Sequence, residues 1–137
     1  METMQQITDY QRVWSDGLNR GDVSTADEAF APDCTIHFIG LPEPVRGVEA
    51  WKQLVAGFLT AFPDMHFTMD EGIVSGDRVA WRWHARGTHM GPLGPLPATG
   101  RAVSIWGLIV DHVVDGRVVE RWEQFDQTGM LQQLGVQ

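Results

Sequence analysis

Apolar side chains recur at three- and four-residue intervals in the first part of the chain and at every second position in the rest. Ile7, Tyr10, Trp14 and Leu18 form the apolar stripe of an amphipathic helix. The "NRGD" segment at 19–22 stops it, and Asp22 is placed to cap a shorter helix carrying Val23, Ala26 and Phe30. "CTIHFIG" (34–40) alternates and is β-branched, which predicts a strand, and "LPEPVRG" after it reads as a loop. Val48, Trp51, Leu54, Val55, Phe58 and Phe62 mark a third helix that Pro63 ends. Beyond Pro63 the period becomes two. "MHFTMDEGIV", "RVAWRWHARGTH", "AVSIWGLIVDHVV" and "RVVERWEQF" predict four consecutive strands, with "SGD" (75–77) and "DG" (115–116) at hairpin turns. "DQTGMLQQLG" predicts a short terminal helix capped by Asp126. Helices first and antiparallel strands after them indicate an α+β fold rather than βαβ units.

No repeat or linker interrupts the pattern, and the 137 residues suit one domain, 1–137, with one sizeable core. A net charge of −8 argues against nucleic acid and anionic membrane as partners. The polar "METMQQITDY" start lacks the apolar run of a signal peptide, and no run is long enough to span a bilayer, so a cytoplasmic protein is expected. Six Trp and six Phe, against one Tyr, supply apolar surface that fills a core or lines a cleft between helices and sheet.

The Gly-rich "GTHMGPLGPLPATGR" loop is no phosphate cradle, because Pro92, Pro95 and Pro97 remove amide donors. His37, His66, His84, His89 and His112 show no metal-binding spacing, and Cys34 is alone in an apolar strand. Acid–base chemistry without a cofactor remains. A carboxylate in an apolar pocket titrates upward and becomes a usable base near neutral pH. "GRVVERWEQFDQTG" (116–129) carries three acids, Glu120, Glu123 and Asp126. A two-residue turn at Asp115–Gly116 sets Glu123 opposite Leu108, and a three-residue loop beginning at Val114 sets it opposite Gly107. In both registers its cross-strand neighbours are apolar, and Arg121 and Phe125 share its face. Glu123 then either enters the cleft, with Gly107 leaving room for a ligand, or lies on the outer face paired with an Arg. Asp126 suits an N-cap, and Glu120 suits solvent beside the turn.

"RGVEAWKQLVAGFLTAFPD", "GTHMGPLGPLPATGR", "VVDGRVVERWEQFD" and "GMLQQLG" resemble the SnoaL-like polyketide cyclases, part of the nuclear-transport-factor-2-like superfamily, from about residue 12 to the end. The resemblance implies a cone-shaped α+β barrel, a curved antiparallel sheet with the N-terminal helices covering one face, often dimerised through the sheet. It implies cofactor-free aldol cyclisation or isomerisation of a hydrophobic polyketide-like carbonyl substrate, with no metal. Aligned on "PATGR" and "DGR", the family's acid falls on Glu123 rather than Asp126, and its His and Gln fall on Ile109 and Gly107, which removes two donors that would steady an enolate. The expected site is therefore Glu123 as base, Arg121 beside it and Asp126 as a further catalytic candidate. Trp14, Leu18, Trp51, Phe58 and Ile109 would form the wall, and His37 or His89 would donate to a carbonyl, with Gly107 giving space. The alternatives are a non-catalytic carrier of an apolar molecule and, lower in order, an epoxide hydrolase. The last needs an Asp–Arg–Asp arrangement to activate water, and no second acid is placed beside Glu123. A homodimer through Trp106 and Trp122 is also expected.

Overall fold

The computed structural model describes residues 4–136. Helix α1 (Met4–Arg20) buries Ile7, Tyr10, Trp14 and Leu18 against the sheet, as the stripe predicts. It ends where Gly21 takes a positive φ of 75° and returns its amide to the Leu18 carbonyl at 3.0 Å. Asp22 then caps a 3₁₀ turn, Val23–Thr25, by accepting from the Ser24 amide at 3.0 Å. Helix α2 is a single turn (Ala26–Ala29). The expected helical Phe30 is instead the first residue of strand β1 (Phe30–Phe38), which starts four residues before the predicted strand. There its ring meets Trp14 edge-on at 5.3 Å, so burial in the sheet overrides the helical spacing.

The predicted loop before the third helix contains a two-residue strand, β2 (Val45–Arg46), paired with β1. Helix α3 (Val48–Ala61) follows, then four antiparallel strands: β3 (His66–Ser75), β4 (Arg78–Thr88), β5 (Ala102–Val114) and β6 (Arg117–Phe125). Helix α4 (Gln127–Gln133) closes the order. The strands form one curved sheet in the order β2-β1-β6-β5-β4-β3. It is not wholly antiparallel, because β1 runs parallel to β6, and it is not a closed barrel, because β2 and β3 are free edges.

The β5–β6 hairpin aims the last strand. Asp115 and Gly116 have φ of 52° and 78°, as a two-residue turn between twisted strands requires, and Val114 pairs with Arg117. That turn alone would set Glu123 opposite Leu108. A β-bulge intervenes: Val113 pairs with Val118 and His112 with Glu120, so Val119 is extra. The register moves by one, and Glu123 lies opposite Ile109 rather than opposite either expected residue. Three cross-strand rows therefore run over the inner face: Val79–Asp111–Arg121, Trp81–Ile109–Glu123 and Trp83–Gly107–Phe125. Among the described residues no helix is long and apolar enough to cross a membrane.

Candidate active site

Helices α1 and α3 and the inner face of the sheet enclose a cavity of about 660 Å³. Trp14, Leu18, Trp51, Phe58 and Ile109 line it, and Arg121 and Glu123 bring charge to an otherwise mostly apolar wall. The 89–101 connection folds over it. His89 and Arg101 pair across its base, and Pro92, Leu93 and Gly94 reach the cavity. Gly91 allows the approach: a Cβ there would lie 2.3 Å from the Thr60 carbonyl oxygen.

Arg121 is 1% exposed and fully engaged on one side. Its Nε donates to Asp111 Oδ1 at 2.7 Å, and its Nη2 donates to Asp111 Oδ2 at 2.9 Å and to Gln11 Oε1 at 3.0 Å. The Tyr10 hydroxyl donates to Asp111 Oδ2, and the Trp81 indole donates to Tyr10 at 2.8 Å. Burial and then the Asp111 charge push the Tyr10 phenol above its ordinary value. Burial opposes the charge on Arg121, but Asp111, through charge and hydrogen bonds, outweighs it and holds the guanidinium protonated. The guanidinium also lies 4.9 Å from the Phe30 ring centroid.

Glu123 receives what is left. Its Oε1 is 3.7 Å from Arg121 Nη1, beyond hydrogen-bond distance, and accepts no hydrogen bond. The Glu123 carboxyl is accordingly pushed up to about 7. Desolvation is the main cause; Arg121 pulls the other way, and Asp111 adds to the rise. A group that changes charge near neutrality, inside an apolar cavity, can both take and return a proton.

The other sequence candidates lie elsewhere. Asp126 is exposed outside the cavity and caps α4, its Oδ1 accepting from the Gly129 amide at 2.9 Å. His37 is on the outer face, bonded to Glu120 at 2.7 Å and stacked on Trp122, so Glu120 is accounted for as well. His89 is fully buried against Phe62. Its Nδ1 accepts from the Thr99 amide at 3.2 Å, and it does not line the cavity. Gly107 gives a ligand no room, because the Trp83 indole fills the space: a Cβ at 107 would be 2.6 Å from Cε2 and Cζ2 of that ring. Asp111, Tyr10 as a donor, and Gln11 were not anticipated. Asp111 was legible in principle, as an acid in phase with Ile105, Ile109 and Val113 on the inner face of an apolar strand. Among the described residues no group of three or more His, Cys, Asp or Glu could hold a metal ion.

The site is thus a mostly apolar cavity between helices and an open, curved α+β sheet, with one carboxyl in its wall. The model of the SnoaL-like polyketide cyclase family matches residues 8–134, and the chain belongs to that family. IdmH of Streptomyces antibioticus, a candidate polyketide cyclase, is 37% identical with a TM-score of 0.83, over 96% of this chain and 99% of that one. AclR of Streptomyces galilaeus, a candidate hydroxylase, is 28% identical with a TM-score of 0.85, over 97% of this chain and 83% of that one. TsrD of Streptomyces laurentii is 23% identical with a TM-score of 0.89 over the whole of both chains, a likeness of fold. No curated protein matches the chain.

Proposed function

We propose that this protein is a cofactor-independent acid–base catalyst of aldol cyclisation or isomerisation on a hydrophobic, polyketide-like carbonyl compound. The observation that carries this is Glu123: a cavity carboxyl without a hydrogen bond on Oε1, pushed up by burial to about 7. In its ionised form Glu123 takes a proton from the carbon next to a substrate carbonyl, breaking the C–H bond and leaving an enolate. In a cyclisation the enolate carbon bonds to a second carbonyl carbon of the same molecule, whose C=O π pair moves onto oxygen, and the resulting alkoxide takes back the proton that Glu123 removed. In an isomerisation Glu123 returns its proton to a different carbon. Arg121 supplies positive charge in the same wall.

The test is a carboxyl-carbon NMR titration of wild type, Glu123→Gln and Asp126→Asn. The Glu123 signal is expected to titrate near 7 and to vanish in its own variant. A midpoint in the ordinary range of about 4.3 would mean a solvated or charge-compensated carboxylate rather than a desolvated base, and would move the case to the ligand-carrier reading.

A non-catalytic ligand carrier is the second reading, favoured by the apolar Ile109 and Gly107 opposite Glu123 and Phe125. Epoxide hydrolysis gains its missing second acid, since Asp111, Arg121 and Glu123 form an acid–arginine–acid row. Yet Asp111 is 0% exposed, both its oxygens are occupied, and it does not line the cavity, so it has no access to a water there. This reading stays last.

A homodimer through the outer face of the sheet belongs to the proposal. Trp106, Leu108, Val110 and Trp122 are exposed there as an apolar band on adjacent strands. Sedimentation at micromolar concentration is expected to give twice the chain mass; a monomer would dispose of the dimer.

A further inference from the structure

Among the described residues, four buried side-chain polar atoms lack a hydrogen-bond partner: Trp51 Nε1, Trp83 Nε1, His89 Nε2 and Glu123 Oε1. Three of the four belong to side chains that line the cavity. Buried donors are almost always paired, because an unpaired one forfeits its hydration without replacement. An indole N–H can only donate, so what would complete it is an acceptor such as a carbonyl oxygen.

The two indoles are not equivalent. Trp51, on α3, is held in an aromatic cluster with Trp14, Phe30 and Phe38, with ring centroids 5.7 to 6.2 Å apart. Trp83, on β4, lies across Gly107 of β5, and Cε2, the ring carbon bonded to Nε1, is one of the atoms that a Cβ at 107 would strike. The missing side chain at 107 leaves room for that edge of the indole over β5, and the Phe125 ring centroid on β6 is 6.4 Å from the Trp83 ring. Phe125 and Glu123 are two residues apart on the same face of β6, so the Trp83 and Glu123 rows are adjacent. Two other polar side chains lining the cavity are already used, while Gln53 and Gln127 also reach it. Gln11 accepts from Arg121 and donates to Ser15 at 2.9 Å, and the Thr60 hydroxyl donates to the Ala56 carbonyl.

We propose that Trp83 Nε1–H is the donor that receives a ligand carbonyl oxygen beside Glu123, so that the cavity selects flat, mainly apolar molecules bearing a ketone or ester carbonyl. The inference rests on the proposed function of the same cavity and adds to it the group that binds the carbonyl. Gly107 is part of the device: its bare Cα makes space for the indole rather than for the ligand.

Fluorenone and fluorene separate the donor from the wall. They share a planar tricycle, only fluorenone has a carbonyl, and fluorenone has no exchangeable α-proton to complicate binding. Affinities are measured for wild type, Trp83→Phe and Trp51→Phe. Loss of one neutral hydrogen bond is expected to weaken fluorenone binding by about three- to tenfold in Trp83→Phe, relative to the change for fluorene. Trp51→Phe should keep the wild-type preference. In unmodified protein the Trp83 indole proton should move downfield with fluorenone and stay in place with fluorene, a readout that needs no substitution to fold. Equal weakening of both probes in Trp83→Phe, an unmoved Trp83 proton, or loss of the preference in Trp51→Phe instead would each overturn the assignment and leave the pocket standing. Failure of both probes to bind wild type would overturn the proposed function of the cavity, and this assignment with it; binding of fluorene alone would overturn this assignment.

Discussion

Glu123→Gln is expected to slow exchange of the α-protons of α-tetralone for deuterium by about 10²- to 10⁴-fold, the contribution of a positioned general base. Binding of the ketone should survive, because the amide keeps nearly the shape of the acid. Proton NMR of the ketone in deuterated buffer reads the exchange without any knowledge of the natural substrate. Wild type that binds the ketone and exchanges it no faster than buffer would transfer the case to the carrier reading. The same substitution has a thermodynamic signature. The Glu123 carboxyl titrates near 7 in the folded protein, against an ordinary 4.5. Between those values the folded state holds a proton that the unfolded state has released. Stability from this group is thus fully present below 4.5 and is lost as pH rises to 7, for a total of roughly 3 kcal/mol. Glu123→Gln removes that slope, so urea denaturation at pH 5 and pH 8 should show the variant gaining on wild type at the higher pH.

The elements were legible because their periods are strong. The stripe of α1, the stop at Pro63 and the alternation of β3 to β6 each follow from side chains that must be covered on one face only. What failed was long-range or irregular. Phe30 fits a helical spacing, yet its ring is needed in the sheet against Trp14 and Trp51. The parallel pairing of β1 with β6 joins segments more than eighty positions apart, as Ile36 with Arg121, and no turn residue announces it. The bulge at Val119 was invisible because Val118 and Val119 are both apolar, so nothing in the sequence shows that the alternation breaks between Val118 and Arg121. The two-residue-turn register for Glu123 missed by that one position and the three-residue-loop register by two, while its companions Arg121 and Phe125 followed from parity and the choice between cleft and outer face stayed open. Gly107 shows the limit from the other side. A glycine in an apolar strand signals a close approach, but only the packing identifies Trp83, rather than a ligand, as what approaches.

The largest structural effect is expected from Asp111. Truncation by Asp111→Ala leaves Arg121 charged and buried, with only Gln11 still accepting from it, and should cost about 3–5 kcal/mol in urea denaturation. Tyr10→Phe is the milder control, losing one hydroxyl from the same cluster for about 1 kcal/mol. Asp111→Asn keeps the volume and separates packing from charge. In wild type Asp111 occupies the Nε and Nη2 sides of Arg121, which leaves Glu123 a guanidinium nitrogen at 3.7 Å and no hydrogen bond. Neutralising Asp111 removes a negative charge that raises the Glu123 carboxyl and frees Arg121 to turn toward it, and both changes act downward. The Glu123 midpoint in Asp111→Asn should therefore fall from about 7 toward the ordinary carboxylate range. The lower edge of any pH–rate profile should move down with it. A folded Asp111→Asn protein whose Glu123 midpoint stays near 7 would mean that desolvation alone sets the acid, and that the buried Asp111–Arg121 pair serves the fold and not the base.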